Sequence, residues 1–138
     1  MTEAIKSGSS LWKYIDGQDI FDANILVVDD IDTNVLLLEQ MLSESGYQQV
    51  TSTMDPFTVV ELHRANHYDL ILLDLQMPGR DGFQLMEDLK LEPDNNYLSI
   101  LVITAQIEQK WRSLAAGAKG FIGKPFNIVE IDTCIRNL

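Results

Sequence analysis

The chain has a single cysteine, Cys134, among 138 residues, so no disulfide can form within it and its fold does not depend on an oxidising compartment. Positive charge is scarce. Ten lysines and arginines stand against 21 aspartates and glutamates, a formal net charge of −11. That imbalance argues against nucleic acid as a direct ligand, because a phosphate backbone attracts Lys and Arg and repels carboxylates. A basic partner or a bound cation fits better. No run of 18 apolar residues exists to span a bilayer, and the opening stretch MTEAIKSGSSLWKYIDGQ lacks the apolar core of a signal peptide. A cytoplasmic location without membrane contact is therefore expected. Four prolines and eight glycines are too few for a collagen-like or low-complexity chain, and no internal repeat is visible.

What is present is the composition of a folded globule, 46% hydrophobic and 22% charged, at a length that suits one domain with a proper core. Residues 1 to 23 differ from the rest. A small polar run, Ser7 to Ser10, precedes Leu11, Trp12, Tyr14, Ile15, Ile20 and Phe21, and Ser10 is placed to cap a short helix. Two readings stay open for this extension: a loosely packed tail or an interaction arm.

From Asn24 to Leu138 one pattern recurs five times: a short apolar run ends at polar residues and leads into a segment of helical periodicity. The first unit is Ile25 to Val28, closing at Asp29 and Asp30. Its helix runs from about Asp32 to Ser45 with Val35, Leu38 and Leu42 on one face and Gly46 as the stop. The second is Val50 to Thr53, then a helix capped by Asp55 with Pro56 at its first position, running to about His67. The third is Leu70 to Leu73, ending at Asp74, with a helix from Asp81 to about Leu91 that presents Phe83, Met86 and Leu89. The fourth is Ile100 to Ile103, ending at Thr104, with a helix to about Ala116 and a stop at Gly117. The fifth is a weak strand, Gly120 to Gly123, before Lys124-Pro125 and a last helix from about Asn127. The first, third and fourth runs show no alternation, as expected of a parallel sheet covered on both faces. The expectation is a doubly wound α/β fold.

In such sheets ligands bind outside the carboxyl ends of the strands. Those ends carry Asp29 and Asp30, Asp74, Thr104 and Lys124. At an effective dielectric of about 20, two carboxylates roughly 5 Å apart repel by about 3 kcal/mol, so the group calls for positive charge. A hard divalent cation held by carboxylate oxygens answers that need, and Mg²⁺ is the usual choice where a phosphoryl group is also handled. Lys124 adds an ammonium that can pair with Asp74 or with a phosphoryl oxygen, and Thr104 adds a hydroxyl donor. Two carboxylates for the metal leave Asp74 as the candidate nucleophile, since aspartate forms acyl phosphates.

On these residues the sequence from about 24 to 138 closely resembles the receiver domain of two-component response regulators. The resemblance is carried by Asp29-Asp30, by Asp74 within Leu72-Leu73-Asp74-Leu75-Gln76-Met77-Pro78-Gly79-Arg80-Asp81-Gly82, by Thr104-Ala105 and by Lys124-Pro125. Any one of these is weak; together at this spacing they are specific. The resemblance implies a flavodoxin-like sheet of five parallel strands in the order 2-1-3-4-5 with five helices. It implies Mg²⁺ held by Asp29, Asp30 and Asp74 with the backbone carbonyl of Gln76, and phosphoryl transfer to Asp74 from a kinase phosphohistidine. Thr104 and Lys124 would contact the phosphoryl group, the Lys124-Pro125 bond would be cis, and Phe121 would turn inward as the switch aromatic. Gln76 and Gln106 fall at the two variable positions that tune acyl-phosphate lifetime. The chain would assist its own phosphorylation and dephosphorylation without being a turnover enzyme. Its partners would be a sensor histidine kinase or a phosphotransfer protein, and an effector domain or protein downstream. Whether an effector follows Leu138, and whether the chain forms a homodimer, stay open.

Two other classes compete. Asp30-Ile31-Asp32-Thr33-Asn34 resembles the nucleophile motif of haloacid-dehalogenase-type phosphatases, but Asn34 departs from it and the chain is short for a cap plus core. A flavin or nucleotide module lacks support, because the loop after the first strand has charges in place of glycines. His63 and His67 have the spacing of a two-histidine metal site without a third ligand, and are expected to act as cations near a helix C-terminus. Trp111 and Phe121 are expected more readily in the core than at an interface, and Cys134 as a small buried side chain.

Overall fold

The computed structural model describes residues 18–93 and 98–138. Ser10, Trp12 and Tyr14 lie outside the described residues. Five parallel strands form one sheet: β1 (Asn24–Val28), β2 (Gln49–Thr53), β3 (Leu70–Leu73), β4 (Ser99–Thr104) and β5 (Gly120–Gly123). Their order is β2-β1-β3-β4-β5, the doubly wound arrangement expected from the sequence. Each strand is followed by a helix: α1 (Asp32–Glu44), α2 (Val59–Asn66), α3 (Gly82–Lys90), α4 (Lys110–Ala115) and α5 (Ile128–Arg136).

The central strands are apolar throughout because both faces are covered. Leu26, Val28, Ile71, Leu73 and Val102 pack with Val59 of α2 and Leu85, Met86 and Leu89 of α3. The alternate residues Ile25, Val27, Leu72, Leu101 and Ile103 pack with Leu38 and Leu42 of α1 and Ile131 and Ile135 of α5. Strand period two thus splits one run of leucines and valines between two cores. Strand β2 is half-exposed, as an edge strand should be. Val35, Leu38 and Leu42 are the buried face of α1, as their spacing predicts.

Two helix starts and one buried helix face depart from the sequence reading. The second helix is split: Asp55 accepts from the Phe57 N–H and caps a 3₁₀ turn, Pro56–Thr58, before α2 begins. The fourth likewise starts with a 3₁₀ turn, Ile107–Gln109, leaving α4 only six residues long. In α3 the buried face is Gly82, Leu85, Met86 and Leu89. Phe83 is half-buried instead, with the Arg112 guanidinium 3.8 Å over its ring. Gly46 and Gly117 end their helices at φ +105° and +111°, a left-handed region that only glycine enters without cost.

Residues 18–23, ahead of β1, join this body. A helical turn, Gln18–Phe21, buries Ile20 in the second core and lays Phe21 edge-on against Tyr47, ring centroids 5.2 Å apart. The Phe21 carbonyl accepts from the Gln48 N–H at 3.1 Å.

Candidate phosphoacceptor site

The register of the sheet assembles the site. Val28 of β1 pairs with Leu73 of β3, so the next residues, Asp29 and Asp74, leave the sheet side by side, and the Asp74 N–H donates to the Val28 carbonyl at 3.0 Å. Thr104 pairs with Gly123, and the Lys124 N–H donates to the Thr104 carbonyl at 2.9 Å. Four strand ends thereby bring residues far apart in sequence to one rim. The Lys124-Pro125 bond is cis.

One ligand atom from each of Asp29, Asp30 and Asp74 falls within 4.8 Å of the others. Asp29 and Asp74 are only 2% and 4% exposed. The Lys124 ammonium bonds both, 2.8 Å from Asp29 Oδ2 and 3.0 Å from Asp74 Oδ2. The second Asp29 oxygen accepts from the Ile31 N–H at 3.0 Å, and that of Asp74 from the Gln76 N–H at 3.0 Å. Asp30 differs: its Oδ1 is buried and has no hydrogen-bond partner among the described residues.

Burial, reinforced by the charge of Asp29, raises the Asp74 carboxyl above its ordinary pKa, although the Gln76 N–H and Lys124 pull the other way. Burial would lower Lys124, but its bonds to Asp29 and Asp74 outweigh this and leave it raised. The two directions agree physically: the lysine has two carboxylate partners, whereas Asp74 shares one ammonium with a competing carboxylate. A desolvated carboxylate with a poorly compensated charge is also a better nucleophile than one in water.

Three carboxylates against one ammonium leave an excess of two negative charges at the rim, and an orphaned buried oxygen on Asp30 is costly unless something positive meets it. Both features fit a divalent cation. The all-oxygen donor set suits a hard ion. A cleft of about 560 Å³, lined among others by Asp30, Asp74, Gln76, Ala105 and Lys124, opens directly over these groups.

Thr104 is fully buried beside this rim, and its Oγ1 accepts from the Gln106 N–H at 3.3 Å. Phe121 of β5 is half-buried against the first core. Gln76 is exposed and begins a two-residue antiparallel pairing, Gln76–Met77 with Arg80–Asp81, which the sequence does not announce. Asp32, the second carboxylate of the phosphatase-like motif, is exposed on the first turn of α1.

Three expectations outside the rim need correction. Trp111 is 77% exposed, not core: α4 is only six residues long, and Ser113 is its buried residue. His63 is buried rather than a solvated cation: its Nδ1 accepts from the Tyr68 N–H at 3.1 Å, and burial with the nearby His67 lowers its pKa. His67 instead ends α2 at φ +52°. Cys134 is half-buried rather than buried. Asn34 is the site residue that sequence reasoning passed over. Its Nδ2 donates to Asp29 Oδ2 at 3.3 Å, a contact signalled only by an amide one turn into the helix that follows an acidic pair.

With this geometry in view, the comparisons with known proteins are consistent. Residues 25–136 match the family model of the response regulator receiver domain, and the chain belongs to that family. It is 38% identical over 118 residues to the response regulator PleD of Caulobacter vibrioides, covering 84% of this chain and 26% of PleD. The chain thus spans about a quarter of that relative's length. It is 30% identical to chemotaxis protein CheY-3 of Vibrio cholerae over 78% of this chain and 84% of that protein. Among solved structures it is similar to the receiver domain of sensor histidine kinase PA1611 from Pseudomonas aeruginosa, which carries a magnesium ion in its active-site cleft. The TM-score is 0.76 at 29% identity, covering 84% of this chain and 96% of that one. Among the described residues no helix is long and apolar enough to cross a membrane.

Proposed function

We propose that this receiver domain is a Mg²⁺-dependent phosphorylation switch in the cytoplasm, with Asp74 as the residue that takes the phosphoryl group from the phosphohistidine of a sensor kinase or phosphotransfer protein. The observation that carries this reading is the single rim on which Asp74 Oδ2 lies 3.0 Å from the Lys124 ammonium and within 4.8 Å of oxygens from Asp29 and Asp30.

In the step itself an Asp74 oxygen attacks phosphorus, the P–N bond of the phosphohistidine breaks, and its electron pair returns to the imidazole. Asp29, Asp30 and Asp74, with the Gln76 carbonyl, would hold Mg²⁺, which supplies positive charge to the transferring oxygens. Lys124 is within reach to leave Asp29 and meet a phosphoryl oxygen, since its ammonium already spans the two carboxylates. Its charge then stabilises the group where charge accumulates, which is the main source of acceleration in phosphoryl transfer. The same residues assist loss of the phosphoryl group to water, so the domain acts as a self-assisting phosphoacceptor rather than a turnover enzyme.

Phosphorylation brings a charge of about −1.5 to −2 to the rim. Thr104, the last residue of β4, would exchange its Gln106 N–H partner for a phosphoryl oxygen, and Phe121 on the adjacent strand would move inward. The partner-binding surface near β5 and α4 then differs between the two states, and the phosphate favours one through its differential contacts. A downstream effector domain or protein would read that difference.

The test is incubation with Mg²⁺ and acetyl phosphate followed by mass spectrometry of the intact chain. A gain of one phosphoryl group that disappears in Asp74→Asn is expected. No gain, or a gain that survives Asp74→Asn, refutes the assignment.

A further inference from the structure

The three acidic side chains are not held alike. Asp29 is gripped at both oxygens: the Ile31 N–H donates to Oδ1 at 3.0 Å, and Oδ2 takes Lys124 Nζ at 2.8 Å and Asn34 Nδ2 at 3.3 Å. Asp30, the next residue, keeps a buried Oδ1 with no partner. One carboxylate is thus a fixed template, while its neighbour has an oxygen to offer.

Of the two side-chain donors on Asp29, Lys124 is a poor permanent clamp. It also bonds Asp74 at 3.0 Å, and its positive charge works against a cation approaching the same oxygens. The Asn34 amide has neither defect. It carries no net charge, and it is anchored by its own backbone, whose N–H donates to the Ile31 carbonyl at 3.1 Å in the first turn of α1. The amide must present its nitrogen here, because its oxygen would repel the carboxylate. Asn34 also stands between two clefts. It lines the one over the acidic rim and a second of about 380 Å³ formed with Leu37, Pro125 and Phe126, and Lys124 borders both.

We infer that Asn34 is a positioning residue for the cation site: its amide keeps the Asp29 carboxylate aimed at the metal when Lys124 turns to the phosphoryl group. The inference rests on the Mg²⁺-dependent reading above. Outer donors that orient a metal-binding carboxylate typically contribute about 10- to 100-fold to affinity.

The experiment is calorimetric titration of the metal-free protein with Mg²⁺, in parallel with thermal melting in EDTA, for wild type, Asn34→Leu and Asn34→Gln. Leu has the shape of Asn without the donor, whereas Gln keeps an amide. Expected is a fall in Mg²⁺ affinity of about tenfold or more in Asn34→Leu, recovery of most of it in Asn34→Gln, and a melting temperature in EDTA close to that of wild type for both. Unchanged affinity in Asn34→Leu overturns the inference while leaving the phosphoacceptor reading intact. Equal weakening in both variants together with lower melting in EDTA also overturns it, because the residue then serves the fold alone. A wild-type protein that binds no Mg²⁺ overturns the reading beneath it.

Discussion

Replacing Asp30 with asparagine separates two opposite contributions of the same charge. Without metal, Asp30 is a liability: its Oδ1 is buried and unpartnered, and it sits within 4.8 Å of oxygens from Asp29 and Asp74. At that distance and an effective dielectric of about 20, each pair repels by roughly 3 kcal/mol. The Lys124 ammonium offsets part of this, and the partial exposure of Asp30 screens more. A net gain on the order of 1–2 kcal/mol in metal-free stability is therefore expected for Asp30→Asn. With Mg²⁺ at a hundred times its dissociation constant, wild type should gain about 2.7 kcal/mol by mass action, or roughly 10 °C in melting temperature for a domain of this size. The variant should gain little. Melting curves in EDTA and across a Mg²⁺ series measure both effects. A variant less stable than wild type in EDTA, or one with the same Mg²⁺ increment, refutes the argument that electrostatic repulsion at the rim is what the cation relieves.

Three further perturbations probe other parts of the chain. Lys124→Met leaves Asp29 and Asp74, 2% and 4% exposed, without their ammonium, and should cost about 3–5 kcal/mol in urea unfolding without metal; a loss under 1 kcal/mol would contradict the buried-pair assignment. Tyr47→Phe removes the phenol that donates to Asp132 Oδ1 at 2.6 Å and should cost about 1.5–3 kcal/mol, as hydrogen bonds to charged groups do, again read by urea unfolding. His63 is held below its ordinary pKa in the fold by burial and by His67, so the unfolded chain takes up its proton first as pH falls. Its contribution to stability should be constant above about pH 7 and decline as pH drops through the ordinary histidine value near 6.5. NMR titration of the His63 ring checks this, and a midpoint at or above the ordinary value would contradict it.

Some of this was legible in the residues and some was not, for physical reasons. Strands β1, β3 and β4 declare themselves because a sheet covered on both faces tolerates no polar interruption, and the polar residue that ends each apolar run, Asp29, Asp74 and Thr104, is by that rule at the rim. The doubly wound class follows from this pattern, whereas the strand order comes only with the resemblance carried by Asp29-Asp30, Asp74, Thr104-Ala105 and Lys124-Pro125. Helix phase was less secure. Phe83, Met86 and Leu89 have a correct helical spacing, yet Leu85 takes the buried position and Phe83 finds its cover in the Arg112 guanidinium, a partner no local pattern predicts. His63 was misread because its acceptor role exists only once His67 turns the chain left-handed and aims the Tyr68 N–H back at the ring. Asn34 was missed for a related reason: an amide becomes part of a site through what it touches, and its contact with Asp29 depends on the angle at which α1 leaves the rim.

The acidic rim differs in kind from the apolar core, and that contrast bears on how a signal would arise in the proposed switch. Elsewhere alternate residues of the central strands fill two apolar layers, and buried His63 has its partner. At the rim, four strand ends hold three carboxylates against one ammonium, with an oxygen left over. Such an arrangement is sensitive to added charge, so a cation or a phosphoryl group acts on it more strongly than on a balanced surface. Thr104 is fully buried and joined to the rim through the Lys124 N–H, and among the described residues its hydroxyl is engaged only by the Gln106 N–H at 3.3 Å. In the proposed switch a weak partner there is an advantage, because a strong one would have to be broken at the phosphate's expense. Strengthening it should bias the domain toward its resting state, and relieving the rim's repulsion by Asp30→Asn should narrow the difference between the states while making the resting protein sturdier.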